Sequence, residues 1–521
     1  GGYNIAIGYS ALGTEDTGSR NVAIGDQALL NQNYDGYAYN IAVGYSAGKE
    51  ITTGIQNTLL GGLAGDALTS GSNNIAIGVL ALSAEDTGGK SIAIGFQSLA
   101  AQNYDGDAYN VAVGYQSGLA VTTGIQNTVV GGRALQANTV GLGNVALGYQ
   151  AMYTNVDGSK CVAIGTNALL AQEPASALDM YNVAVGYNAG YAVTTGTVNT
   201  IIGGLAGDAL TTGTRNTAVG AFALSTEDAH GNNTAFGYQA LLTLNAGAEG
   251  YNVAVGVDAG RLMSTGIQNT LVGGLAGDAL TTGMNNVAIG KDALGSEDTG
   301  SANVAIGTHA LEDLNYNGSG YNTAVGHAAG RNVTTGTFNT LIGALAGDAL
   351  TTGGYNTAVG YEALSLEDAN GTNTAVGAQA LRILNAGADG YNTAVGFVAG
   401  EAMTTGTHNT LVGAAAGDAL TTGGSNVAIG YGALTTEDAH GRNVAIGHNT
   451  LATQDAGADA YNVAIGYTAG VLISTGVNNT LIGALAGDAL TTGSNNIAIG
   501  YRALTSEDAH GRNVAIGQDA L

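Results

Sequence analysis

Proline and cysteine occur once each in 521 residues, tryptophan is absent, and 13 Lys and Arg face 39 Asp and Glu. Each scarcity excludes something. The lone cysteine, Cys161, cannot build an intrachain disulfide framework. The lone proline, Pro174, and a glycine spacing without a strict period of three exclude a collagen triple helix. A net charge of -26 repels phosphate backbones and anionic lipid, so a nucleic-acid partner is not expected. No apolar run reaches about eighteen residues and no basic-then-apolar leader opens the chain, so no membrane insertion is expected in this segment.

Glycine is abundant, at 87 residues, and 45% of the chain is hydrophobic. The apolar residues occupy fixed positions, which gives the chain enough burial to offset its ordering entropy. Pentads of the form Asn-x-Ala-x-Gly return from Asn4 to Asn513, with first residues Asn4, Asn21, Asn40, Asn57 and Asn74 stepping by 17, 19, 17 and 17. The four steps sum to a 70-residue superperiod, as from Asn74 to Asn144 and from Asn426 to Asn496; Asn144 to Asn216 alone is 72. Such self-similarity leaves no domain boundary, so residues 1–521 read as a single β-solenoid repeat domain. Both ends fall within a repeat with no polar cap, and the chain reads as an excerpt of a longer protein.

In Asn21-Val22-Ala23-Ile24-Gly25 the side chains alternate, Val22 and Ile24 on one face of a short strand and Ala23 and Gly25 on the other. The closing glycine is present in all thirty copies, including Gly8, Gly25, Gly44, Gly61 and Gly78, which predicts a tight corner or close approach by another backbone. Ala28 and Leu29 are expected to form a second strand. The fold class is therefore all-β: a parallel β-roll or β-solenoid of about 30 rungs of 17–21 residues each. Stacked at strand spacing, they would extend roughly 140 Å. Twenty-eight of thirty pentads begin with Asn, and a structural ladder of Asn4, Asn21, Asn40, Asn57, Asn74 and their successors is expected to bond from rung to rung. Cys161 stands in that column as a small buried substitute.

Four rung types alternate. The fourth carries a large aliphatic residue in place of the pentad's Ala, namely Leu59, Val129, Ile201, Leu271, Leu341, Leu411 and Leu481. These read as apolar knobs about 19 Å apart that would be buried against a neighbour. A column of tyrosines precedes the third rung's Asn, from Tyr39 and Tyr109 to Tyr461; packing against the adjoining rung is expected, with glycan stacking as the alternative. The rung from Cys161 to Tyr181 is 21 residues long and follows Val156-Asp157 where other copies have Glu-Asp, so a local bulge is expected there.

Forms such as Asn21-Val22-Ala23-Ile24-Gly25 and Asn443-Val444-Ala445-Ile446-Gly447 resemble the head repeats of trimeric autotransporter adhesins, which also occur in phage tail-fibre shafts. The resemblance runs over essentially the whole chain. It implies a left-handed parallel β-roll, a homotrimer as the self-partner, and an extracellular location on a virion tail fibre or a cell surface. No heptad stalk, neck or barrel segment lies within these residues, and a fibre shaft would need none. The expected function is thus a structural extracellular fibre shaft, phage tail-fibre-like, that acts as a rigid spacer presenting a receptor-binding tip. The alternative is a bacterial surface adhesin whose repeats bind a cell-surface receptor, host matrix or glycans.

A third reading is a calcium-binding β-roll. The acidic pairs Glu85-Asp86, Glu227-Asp228 and Glu437-Asp438 recur once per superperiod and are weak calcium candidates, since solvated loop charges explain them as well. His230, His440 and His510 follow such pairs, but Gly88 and Asn370 occupy the same place elsewhere, which argues against a repeated metal site. Repeats set equivalent residues in columns rather than pockets, and no nucleophile with base and orienting acid is identifiable; no enzyme activity and no cofactor are expected.

Overall fold

The computed structural model describes residues 2–521. The chain divides into two compact units, Gly1–Ile267 and Gln268–Leu521. Each unit is a parallel β-solenoid with fifteen three-residue strands, Ile5–Ile7 to Val253–Val255 in the first and Thr270–Val272 to Val514–Ile516 in the second. No helix occurs among the described residues. Within each unit a strand pairs with the equivalent strand of the next rung, in parallel and without slippage: Ala23 faces Ala42, Ala42 faces Leu59, and Leu59 faces Ala76.

The two strand faces have opposite fates. Ala23, Ala42 and Ala76 are fully buried, while Val22, Ile24 and their counterparts are half-buried on the outside. A rung this narrow has little room between its sides, so the smaller residue points inward. The knobs expected to meet a neighbour are instead core residues: Leu59, Val129, Ile201, Leu271, Leu341, Leu411 and Leu481 are all fully buried. Volume explains them. On the side opposite the strand, first and second rungs carry a large residue, as Leu82, Leu29 or Met152, whereas the third and fourth have glycine, as Gly48 and Gly65, with the single exception of Leu135, which accompanies the smaller Val129. A Cβ on Gly48 would lie 2.6 Å from Leu59 Cδ1 and 3.1 Å from Leu29 Cδ2, so side chains of adjoining rungs fill the space the glycine leaves.

Ala28 and Leu29 do not form a second strand. Each rung has one three-residue strand, and its other side is a run of turns in which Gln27 and Leu29 adopt φ of 59° and 49° on either side of Ala28. The alternation points successive peptide groups at different neighbours. Gln27 N–H donates to Tyr9 O at 2.8 Å in the preceding rung, and Leu29 N–H to Ala47 O at 3.0 Å in the following one. Left-handed leucine is intrinsically disfavoured. Here hydrogen bonds in both directions and burial of its side chain hold it.

The strand ladder passes through the third super-repeat without a bulge, since Val162, Ala163 and Ile164 pair in register with Val183, Ala184 and Val185. Asn155-Val156, rather than Val156-Asp157, occupies the Glu-Asp position. The additional residues form an exposed loop at 175–179 beyond buried Pro174, tied back by a two-residue parallel pairing of Gly158–Ser159 with Leu178–Asp179.

Candidate functional site

Three recurring columns could carry function: the interior asparagines with their glycine corner, the interior acids, and the outward strand residues. In the first, Asn57 Oδ1 accepts the Asn74 backbone N–H at 2.9 Å, while Asn57 Nδ2 donates to Gly71 O at 2.9 Å. Asn4, Asn40 and Asn74 repeat the outgoing bond, to Gly18, Gly54 and Gly88. The ladder is chiefly side chain to backbone, and it satisfies peptide groups that the rung's corner would leave buried. Asn21 differs. Its Oδ1 accepts from Asn40 N–H at 3.1 Å, but its Nδ2 has no partner, because two more residues intervene before the next pentad and displace the receiving carbonyl. Ser91 and Cys161, the two non-Asn residues of the column, both sit in this longer rung type. Gln102 Nε2 donates to Ser91 Oγ at 2.8 Å, and Gln172 Nε2 to Cys161 Sγ at 3.3 Å. Burial pushes the Cys161 thiol up.

The glycine corner is a stack of close backbone approaches. Gly8, Gly25, Gly44, Gly61 and Gly78 have φ between 132° and 141°. A Cβ on Gly44 would stand 2.5 Å from Gly61 O. Both expectations from sequence, the corner and the close approach, hold together.

The acidic pairs split. Glu85, Glu227, Glu297, Glu367 and Glu437 are fully buried, in the same column as Ile51 and Leu68, and only the following aspartates, Asp86, Asp228 and Asp438 among them, reach the outside. The pairs are thus not solvated loop charges. Glu85 Oε1 accepts Gly88 N–H at 2.7 Å, and Oε2 accepts Gln102 Nε2–H at 2.9 Å and Tyr104 N–H at 3.3 Å. Burial holds the Glu85, Glu297 and Glu367 carboxyls above their usual range. Glu437 is pushed up to about 7, by burial first, with Asp455 and Asp438 adding repulsion and His440 opposing it. Donors are fewer there: Glu437 Oε1 accepts His440 N–H at 3.1 Å, while Gln454 donates to Ser474 O and leaves Glu437 Oε2 without a partner.

Metal-ligating side chains converge in four places among the described residues, with ligand atoms within 4.8 Å of one another: Glu227, Asp228 and His230; Asp292, His309 and Glu312; Glu437, Asp438, His440 and Asp455; Glu507, Asp508 and His510. Glu85 and Asp86 join no such group. Asp455 carried no signal in the sequence, being one loop residue in a rung 17 residues on; a column-by-column alignment would show it against Asn103 and Asn245.

On the outside, the last residue of every three-residue strand is apolar among the described residues. Leu60, Leu147 and Ile342 are 37%, 42% and 39% exposed. The tyrosine column lies alongside and is more open than expected, Tyr39 at 44% and Tyr251 at 58%. Its rings meet neighbours in the column rather than the core. Tyr321, Phe338 and Tyr355 stack at centroid distances of 5.3 and 5.0 Å, and Lys90, Lys160 and Arg442 lie 5.1, 5.4 and 5.2 Å from the rings of Tyr109, Tyr181 and Tyr461. No protein-family model matches the sequence, and no curated protein does.

Proposed function

We propose that this chain is a shaft segment of an extracellular fibre, in which three copies associate through the outward strand column and act as a spacer for a binding tip. The single observation that carries the reading is the apolar residue at the end of every three-residue strand. Valine, isoleucine and leucine kept half-exposed along a whole column favour coverage by another surface, and an equivalent column on a second copy has the matching repeat. Interior Asn, Gly and Ala serve the stack itself, which fits a structural role. Mass in solution by light scattering tests it. Three times 51.3 kDa supports the assembly, and a stable 51.3 kDa species removes it.

A surface adhesin is the second reading, favoured by the exposed Tyr321–Phe338–Tyr355 stack, whose ring faces suit sugar rings. Glycan-array binding lost on Tyr355→Ala would support it.

A further inference from the structure

We propose that the acidic loop of the seventh super-repeat is a binding site for one divalent first-row transition-metal ion, held by Glu437, Asp438, His440 and Asp455. The four ligand atoms already lie within 4.8 Å of one another. Glu437 is fully buried, and its Oε2 and the His440 Nδ1 lack hydrogen-bond partners. An orphaned buried carboxylate oxygen is costly, and a cation between it and the imidazole would satisfy both. The other oxygen, Oε1, accepts the His440 backbone N–H at 3.1 Å and lies 3.5 Å from His440 Nδ1, so the carboxylate and the imidazole already face each other.

Internal copies sharpen the assignment. Glu85, in the same position of an earlier super-repeat, has both oxygens taken by Gly88, Gln102 and Tyr104 and has no histidine beside it. Glu227, Asp228 and His230 share three of the four residues, but Asn245 stands where Asp455 does, and Ala246 N–H fills Glu227 Oε2 at 3.1 Å. Among the described residues, only the seventh super-repeat combines the fourth ligand with the open oxygen. No Lys or Arg forms an ion pair with Glu437, Asp438 or Asp455 among the described residues. Three carboxylates and one neutral imidazole suit zinc, manganese or cobalt, because the nitrogen donor selects against all-oxygen calcium and magnesium sites.

The experiment is calorimetric titration of the full chain, stripped with EDTA and exchanged into buffer, using zinc chloride and separately calcium chloride. One tight zinc site per chain is expected, weakened at least tenfold in both Asp455→Asn and His440→Ala. Asp455 is exposed, so Asp455→Asn should keep the wild-type circular dichroism spectrum and decides the matter if His440→Ala unfolds. Zinc affinity within threefold of wild type in a folded Asp455→Asn chain overturns the assignment. So does the absence of zinc binding up to millimolar concentration, or calcium binding as tightly as zinc.

Discussion

The carbonyl oxygen of Gly78 lies 2.6 Å from where a Cβ on Gly61 would stand. With Gly61 at φ 139°, alanine is excluded both by backbone conformation and by the next rung. Gly61→Ala is expected to separate the two rungs and cost upward of about 3 kcal/mol. Urea denaturation checks this. A midpoint equal to wild type would mean the stack is looser than described.

Asparagines of the ladder should differ in cost by rung type. Asn57→Ala leaves the Asn74 N–H and the Gly71 carbonyl without their partners inside the protein, an expected loss of roughly 2–4 kcal/mol. Asn21→Ser removes an amide nitrogen that bonds nothing but also the Oδ1 that accepts the Asn40 N–H at 3.1 Å, so it should cost less than Asn57→Ala, about 1–2 kcal/mol. Hydrogen exchange at the Asn74 amide should accelerate in the first variant alone.

Core truncation should be severe where a leucine faces glycine. Leu59→Ala removes the side chain that fills the space beside both Gly48 and Gly65, with an expected loss of about 3–5 kcal/mol by chemical denaturation.

Acidity should stabilise the fold. Glu437 holds its proton to about 7 when folded against an ordinary 4.5, so the folded chain binds protons more tightly than the unfolded one in that window. Stability therefore falls as pH rises from 4.5 towards 7 and levels off above it. Glu85, Glu297 and Glu367 act with the same sign. In EDTA, Glu437→Gln should shrink the difference in melting temperature between pH 5 and pH 8. An unchanged or enlarged difference would contradict the assignment.

Charge on the outer column should dissociate the proposed trimer. Ile77→Glu with Ile94→Glu alters two adjoining outward positions without touching the core. The double variant is expected to keep a β-type circular dichroism spectrum and to scatter as a single chain. Retention of the wild-type mass would place the interface elsewhere.

The position and parallel stacking of the strands were legible because Gly closes every pentad and Asn opens all but those of Ser91 and Cys161. Which strand face lies inside was not, since alternation separates Val22 from Ala23 without saying how narrow the interior is. Leu29 misled for a related reason. Leucine beside alanine has ordinary strand composition, and its left-handed backbone is imposed by bonds to neighbouring rungs. Glu85 read as solvated because charged residues are rarely buried; its column-mates Ile51 and Leu68 were the available clue.

The Leu59–Gly48–Gly65 fit also limits how a gene of this kind can change length. Excising a fourth-type rung would bring Gly48 beside Ala76, with nothing to occupy the space that Leu59 fills. A change in length by a whole block of four rungs, about 70 residues, would preserve this fit, so a relative of different length is expected to differ by that step or a multiple of it.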